Sequence, residues 1–229
     1  MEKNWVIGDV HGCLKTFRRL VEDRLQPSST DTLYLLGDYI NKGPDSKGVI
    51  DYIFALQREK RRVITLMGNH EEMMLSARRD VSAEQRLLKA GGRQMLQSFG
   101  VDKLANVPQR YFDWMESLPS YLVLQKYVLV HAGLNFSLAN PFSDERAMRW
   151  IRDFSVYPEA MANRVLIHGH TPVGLEVTQS QLSANPITVV NLDGGCVYTD
   201  RPNQGHLLAL ELGSWTLVVQ KNVEEAMQE

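Results

Sequence analysis

Six side chains able to bind a divalent metal close short apolar runs along this chain. Asp9 and His11 follow Trp5-Val6-Ile7, and Asp38 follows the run at 32–36. Asn69 follows residues 63–67, His131 follows 127–130, and His170 follows 165–167. Two carboxylates, one amide oxygen and three imidazoles are more than one divalent ion ordinarily takes from protein. They fit two ions that share a bridging carboxylate. The mixed oxygen and nitrogen set suits Mn, Fe or Zn, whereas carboxylates alone would point to Mg or Ca. Two such ions ~3.5–4 Å apart can hold a hydroxide between them and clamp an in-line displacement at phosphorus. Taken singly, each residue has an ordinary explanation, since an Asp after Gly is usually a turn or a helix cap. Recurrence at successive strand ends carries the metal reading. His168 has a weaker claim, because it would share a face of an extended strand with His170. His206 reads as structural.

The elements that must position these groups follow from periodicity. Asp9, Asp38 and Asn69 lie 29 and 31 residues apart, and a βαβ unit takes ~30 residues. Between them, Leu14, Phe17, Leu20 and Val21, then Val49, Ile50, Ile53 and Leu56, recur at helical spacing. Parallel strands bring their C-terminal ends to one edge of the sheet, so the polar clusters converge. Residues 72–118 read as helical, broken at Gly91-Gly92 and Gly100. Strands return at 121–124 and 127–130, a short helix is expected near 148–154, and 187–192 and 206–219 are strand-rich. The tail after Val219, with Glu224, Glu225 and Glu229, reads as a frayed polar end.

The chain of 229 residues can bury a sizeable core in one domain without staples. A formal charge of -2 gives no global field toward nucleic acid or anionic lipid. No apolar run reaches the ~18–20 residues of a membrane span, and the start, MEKNWVIGDVHG, lacks the basic and apolar regions of a secretion signal. Cys13 and Cys196 lie far apart and outside any CxxC pair, so a reducing cytoplasmic setting is expected. Cys13 falls inside the first expected helix, and no GxSxG, GxGxxG or P-loop motif is present.

In order, GDVHG (8–12), GDYINKGPDS (37–46), GNHE (68–71), HAG (131–133) and GHT (169–171) resemble the PPP family of metallophosphoesterases. GGRQMLQSFG (91–100) and WIRDF (150–154) resemble its bacterial and phage branch of serine/threonine protein phosphatases. Symmetrical dinucleoside tetraphosphatases resemble this family as well. Five blocks in order, from residue 6 to about 200, are specific where GDxHG alone would be weak. The resemblance implies an α/β fold with a metallophosphatase-like central β-sandwich of mixed sheets flanked by helices. It implies one calcineurin-like domain over 1–229; the helical pattern of about 72–118 reads as an inserted cap, and its position places it to overhang the site. By the same resemblance Asp9, His11 and Asp38 hold a first ion, and Asp38, as the bridge, holds a second with Asn69, His131 and His170. His70 is then the general acid toward the leaving oxygen. Arg152 grips the phosphate through its planar fork, in preference to Arg149 one helical turn earlier. The expected cofactors are two divalent ions, Mn2+ first, with Fe or Zn compatible.

The chain departs from the family at Asn41-Lys42, where Asp-Arg is usual. Asn41 can still hydrogen-bond His70 but adds no negative charge, which lowers the pKa of His70. Lys42 supplies a point charge without the fork. The expected activity is metal-dependent phosphomonoester hydrolysis on phosphoserine/threonine, and on phosphotyrosine too, by direct attack of metal-bridged hydroxide. The alternatives are hydrolysis of a dinucleoside polyphosphate such as diadenosine tetraphosphate, or a low-activity phosphate-binding pseudo-enzyme. Partners are phosphorylated protein or a small phosphoester, with no nucleic acid and no membrane. Oligomeric state is not legible.

Overall fold

The computed structural model describes residues 2–224. Among these residues nine strands form two mixed sheets. The first has five strands: β1 (Asn4–Ile7), β2 (Thr32–Leu35), β3 (Arg62–Thr65), β8 (His206–Glu211) and β9 (Leu217–Lys221), in the order β3-β2-β1-β8-β9. The second orders β4 (Tyr121–Val123), β5 (Tyr127–Val130), β6 (Val165–His168) and β7 (Val189–Asn191) in sequence. The two crossover units expected from spacing are present: β1 pairs parallel with β2, and β2 with β3. The chain closes the sheet with β8, antiparallel to β1.

Strand alternation sets the layers. Trp5, Ile7, Leu33, Leu35 and Val63 face a core shared with helices, while Val6 and Tyr34 face the other sheet. There they meet Leu129, Ile167 and Val190, whereas Val128, Val130 and Leu166 point outward beneath Met148 and Met161. Each side chain so buried contributes roughly 1.5–3 kcal/mol, and a one-residue slip would turn it to the wrong layer. The result is the β-sandwich with helices on its outer faces.

On the first sheet lie α1 (Leu14–Arg19), continued by a wider turn over Leu20–Leu25, and α2 (Ser46–Arg58). The Asp45 carboxylate caps α2 by accepting from Gly48 N at 2.7 Å. The segment expected as a cap forms α3 (Asn69–Ala77), α4 (Val81–Leu87), α5 (Arg93–Phe99) and α6 (Gln109–Glu116). Met74, Leu87, Met95, Phe99, Tyr111 and Phe112 belong to the same core as Phe17, Ile50 and Ile53, so these helices continue that layer. The segment meets the site loops at Gly91 (φ +97), where a Cβ would lie 2.3 Å from Lys42 N.

Three expectations need correction. The short helix is α7 (Glu145–Trp150), so Arg152 lies beyond it and not one helical turn past Arg149. The tail does not fray at Val219: β9 runs to Lys221, and Glu224 Oε1 accepts from Thr16 N and Oγ1 at 2.8 and 3.1 Å. Glu225 and Glu229 lie outside the described residues. The two cysteines, distant in sequence, meet in the fold. Both thiols are free and buried, the Cys13 thiol and burial push that of Cys196 up, and Cys13 stands at the N-cap position of α1 instead of lying within it. The last helix, α8 (Leu175–Leu182), packs beside β7. Among the described residues no helix is long and apolar enough to cross a membrane.

Candidate functional site

The loops that follow β1, β2, β5 and β6, with the start of α3, converge at one edge. The backbone there is strained: His11, Asp38, Asn41, Lys42 and His170 all have φ between 46 and 69°. Such conformations cost of order 1–3 kcal/mol each for residues with a Cβ, and they persist where tight packing imposes them.

Asp38 is central. Its Oδ1 lies 3.4 Å from His131 Nε2, and its Oδ2 lies 3.4 Å from His11 Nε2. Two trios of side chains could hold a metal ion, His11–Asp38–His70 and Asp38–His131–His170, all buried. Asn69 completes the second, with Oδ1 2.9 Å from His131 Nε2 and 2.8 Å from His170 Nδ1. Ligand atoms each about 2.1 Å from one ion sit about 3 Å apart across its coordination shell, which these spacings match. His131 Nδ1 donates to Leu36 O at 3.1 Å, and His11 Nδ1 donates to Ile40 O at 3.0 Å. Each imidazole therefore aims its Nε2 lone pair inward, the usual outer-shell device for a metal-binding histidine. With the Asn69 oxygen inward, lone pairs from Asn69, His131 and Asp38 converge with no proton between them. Turned over, the same amide would donate to both Asp38 oxygens at 3.2 and 3.3 Å.

Charge states favour a cation. Burial alone would raise the Asp38 carboxyl, but His131, His70 and His11 hold it well below the usual range. Burial lowers His131 and His11, and together with His131 it takes His170 down to about 3. An ionised carboxylate among neutral imidazoles is the protonation pattern that metal binding requires.

The first half is less regular. Lys42 Nζ sits 2.8 Å from His11 Nε2. Asp9 is buried and accepts from His170 N at 3.1 Å through Oδ2, while burial and the charges of Asp193 and Asp38 push its carboxyl up. His70 Nδ1 lies 2.8 Å from Asn41 Nδ2, and its Nε2 lies 3.9 Å from Asp38 Oδ2. Burial lowers His70 to about 4, so it is neutral near pH 7.

The two arginines separate. Arg152 is exposed, reaches Thr171 Oγ1 at 3.5 Å, and its charge acts on His70, His131 and His170. Arg149 pairs with Glu72 at 3.0 Å and bonds Ser120 at 2.8 Å, which ties α7 to the core. His168 stands apart. The strand ends at His168 and His170 turns to φ 69, so the two share no face; His168 packs on Phe154 at 5.4 Å. A surface groove of about 670 Å³ between α1 and α2 carries none of these groups.

The model of the calcineurin-like phosphoesterase family matches residues 3–203. The chain belongs to that family. It is 30% identical over 132 residues to a symmetrical bis(5'-nucleosyl)-tetraphosphatase of Nitrosospira multiformis, covering 57% of this chain and 43% of that relative. The chain thus matches less than half the length of such curated relatives. Its fold is similar to a Saccharomyces cerevisiae protein serine/threonine phosphatase (TM-score 0.67, 14% identity, 98% of this chain and 81% of that one). It is also similar to a candidate diadenosine tetraphosphatase (TM-score 0.60, 19% identity, 95% and 92%). As a member of that family the chain carries a His/Asp cluster that implies divalent metals.

Two residues escaped the sequence reading of this phosphoesterase. Glu71 is fully buried and accepts from the N–H groups of Asp38, Tyr39, Ile40 and Gly68 at 2.9–3.3 Å, which shapes the bridging loop. Its signal was a Glu three residues after the helix cap Gly68, a capping-box position. Asp193 is buried beside Asp9, its Oδ1 accepts from Gly195 N at 3.0 Å, and its Oδ2 has no partner. Burial pushes it up to about 7. It lies two residues past β7 in a segment whose sequence offered only a turn signal.

Proposed function

We propose that this phosphoesterase hydrolyses dinucleoside tetraphosphates of the diadenosine type, with two ions held by Asp9, His11, Asp38, Asn69, His131 and His170. The observation that carries the two-ion reading is Asp38, with one oxygen toward His11 and the other toward His131. The choice of substrate rests on the curated relatives, named as symmetrical tetraphosphatases. It replaces the protein phosphatase that the sequence motifs alone favoured. When bound, the ions would activate water and neutralise the phosphoryl oxygens. Mn2+ suits the donor set, and the two free thiols suit a cytoplasmic setting.

The chain's own groups have distinct roles. Arg152, on the rim near three of the imidazoles, orients the scissile phosphoryl group. Asn41 fixes the ring of His70. Asn41 Nδ2 lies 2.8 Å from Nδ1; with the amide turned so that its otherwise unpartnered Oδ1 accepts from Nδ1–H, the protonated ring can donate from Nε2 toward the leaving oxygen. Lys42, beside His11, adds positive charge.

A protein phosphatase is the second reading, favoured by the 91–100 and 150–154 motifs and by the yeast structural neighbour. Equal concentrations of diadenosine tetraphosphate and a phosphoserine peptide, tested with Mn2+, separate the two. Symmetrical cleavage to two ADP with the higher kcat/KM is expected. Faster release from the peptide would overturn the substrate assignment, and bound metal without turnover on either would favour a binding role.

A further inference from the structure

We infer that Tyr198 and Arg201, on the loop between β7 and β8, form a cationic shelf for the phosphates beyond the one being cleaved. The shelf begins at the metal cluster. Lys42 Nζ lies 2.8 Å from His11 Nε2 and 5.4 Å from the centre of the Tyr198 ring. The Arg201 guanidinium carbon lies 3.7 Å from that same centre. His11, Lys42, Tyr198 and Arg201 thus run outward from the cluster without a break.

The loop is built as a platform. Tyr198 N donates to Gly195 O at 2.8 Å, Gly205 N donates to the same oxygen at 3.0 Å, and Asn222 N donates to Gly205 O at 2.8 Å. Gly195 takes φ +62, which a side chain rarely adopts. Asn222 Nδ2 also donates to Cys196 O at 2.7 Å. Tyr198 is half-buried on this platform, and Arg201 is exposed at its end.

Three cations by the cluster are open to an anion. Among the described residues neither Lys42, Arg152 nor Arg201 has a carboxylate within ion-pair reach. With its carbon 3.7 Å from the Tyr198 ring centre, the Arg201 guanidinium is held by a cation–π contact, and its N–H donors suit phosphate oxygens. Lys42 and Arg152 both act on His70 and His131, so a single phosphoryl group can meet both, and the shelf continues outward past Lys42 to where a linear polyphosphate would extend.

The shelf rests on the polyphosphate reading of the site, and the test keeps the two separable. Inorganic tripolyphosphate and orthophosphate are compared as inhibitors of aryl phosphate hydrolysis at fixed free Mn2+, in the wild type, Arg201→Ala, Arg201→Lys and Tyr198→Ala. Tripolyphosphate should bind the wild type more tightly than orthophosphate. Arg201→Ala should raise its inhibition constant about fivefold to tenfold, the size of one charge-assisted contact. Arg201→Lys should recover part of that loss, and the orthophosphate constant should move less than twofold. Equal inhibition by the two anions, or an Arg201→Ala protein of native circular dichroism with unchanged tripolyphosphate binding, overturns the shelf. The KM for diadenosine tetraphosphate, measured on the same proteins, should rise with the tripolyphosphate constant. If the wild type cleaves aryl phosphate and binds tripolyphosphate through Arg201 yet leaves the dinucleotide intact, the shelf stands and the substrate assignment fails.

Discussion

The two halves of the site are built differently. Around the second ion's position, Asn69, His131, His170 and Asp38 Oδ1 already stand at ligand spacing, with imidazoles that burial keeps neutral. Around the first, His11 is engaged by the chain's own ammonium, Lys42 Nζ, and Asp9 shares its surroundings with a second buried carboxylate, Asp193. One half is prepared for a cation, whereas the other already contains one. Lone pairs held inward by outer-shell hydrogen bonds need no rearrangement on binding. An ammonium among carboxylates offsets their repulsion, but a metal ion must displace it. The second half should therefore bind the tighter ion.

The largest effect expected is from Asp38→Asn, which removes the charge common to both halves. Turnover should fall by at least about 10³-fold, the scale of losing a preorganised charge at the reacting centre. Both ions should be lost on dialysis. Metal analysis alongside product release checks this, and retention of two ions would break the shared-bridge arrangement. Next in size is the contrast between His131→Ala and His11→Ala. The first should weaken the tighter ion by at least about 100-fold, since even outer-shell partners are worth 10–100-fold. The second should leave one ion per chain. Equal losses in the two variants would erase the distinction between the halves.

Much of this was legible in sequence because strand ends recur. A short apolar run closed by Gly-Asp or Gly-Asn has few interpretations, and three of them at βαβ spacing fix both the parallel register and the convergence of Asp9, Asp38 and Asn69. What could not be read depended on long-range contact. Tyr198 and Arg201 follow a turn signal and no periodic element, so only the fold brings them to Lys42. Cys13 and Cys196 meet for the same reason. His168 was left open because a period-two argument holds only inside a strand, and β6 stops at that residue. Arg149 and Arg152 resembled each other in a helical reading, until α7 ended at Trp150 and left one paired with Glu72 and the other at the rim. The protein phosphatase reading came from the 91–100 and 150–154 motifs, whereas the curated relatives, matched over 57% of the chain, are named tetraphosphatases.

Asn41→Asp probes the first half through its acid. His70 is lowered to about 4, chiefly by burial, and its partner Asn41 at 2.8 Å supplies no charge to oppose that. A carboxylate in that place favours the imidazolium and should raise the pKa by one to three units. The protonated ring is the acid, so turnover falls as pH rises through that pKa. The falling limb of the pH profile should therefore move up by one to three units, and turnover at pH 7 should rise at least about tenfold. An unmoved limb would show that His70 does not supply the proton.

The smallest effect, Lys42→Met, tests the comparison most directly. A divalent ion bound by His11 must take the place of an ammonium 2.8 Å from Nε2. Lys42 also has the Tyr198 ring at 5.4 Å, so its flexible stem has a second favourable position to occupy. Like charges ~4 Å apart in water repel by about 1 kcal/mol. Lys42 is partly exposed, so solvent screens the effect and the gain in first-ion affinity should be about threefold to tenfold. Calorimetric titration with Mn2+ should show the weaker binding phase tighten while the stronger phase is unchanged. Lys42→Arg, which keeps the charge, should leave both phases near their original strength. If Lys42→Met instead raises the KM for substrate and leaves both phases unaltered, Lys42 serves the phosphate alone. The halves would then differ in shape and not in charge.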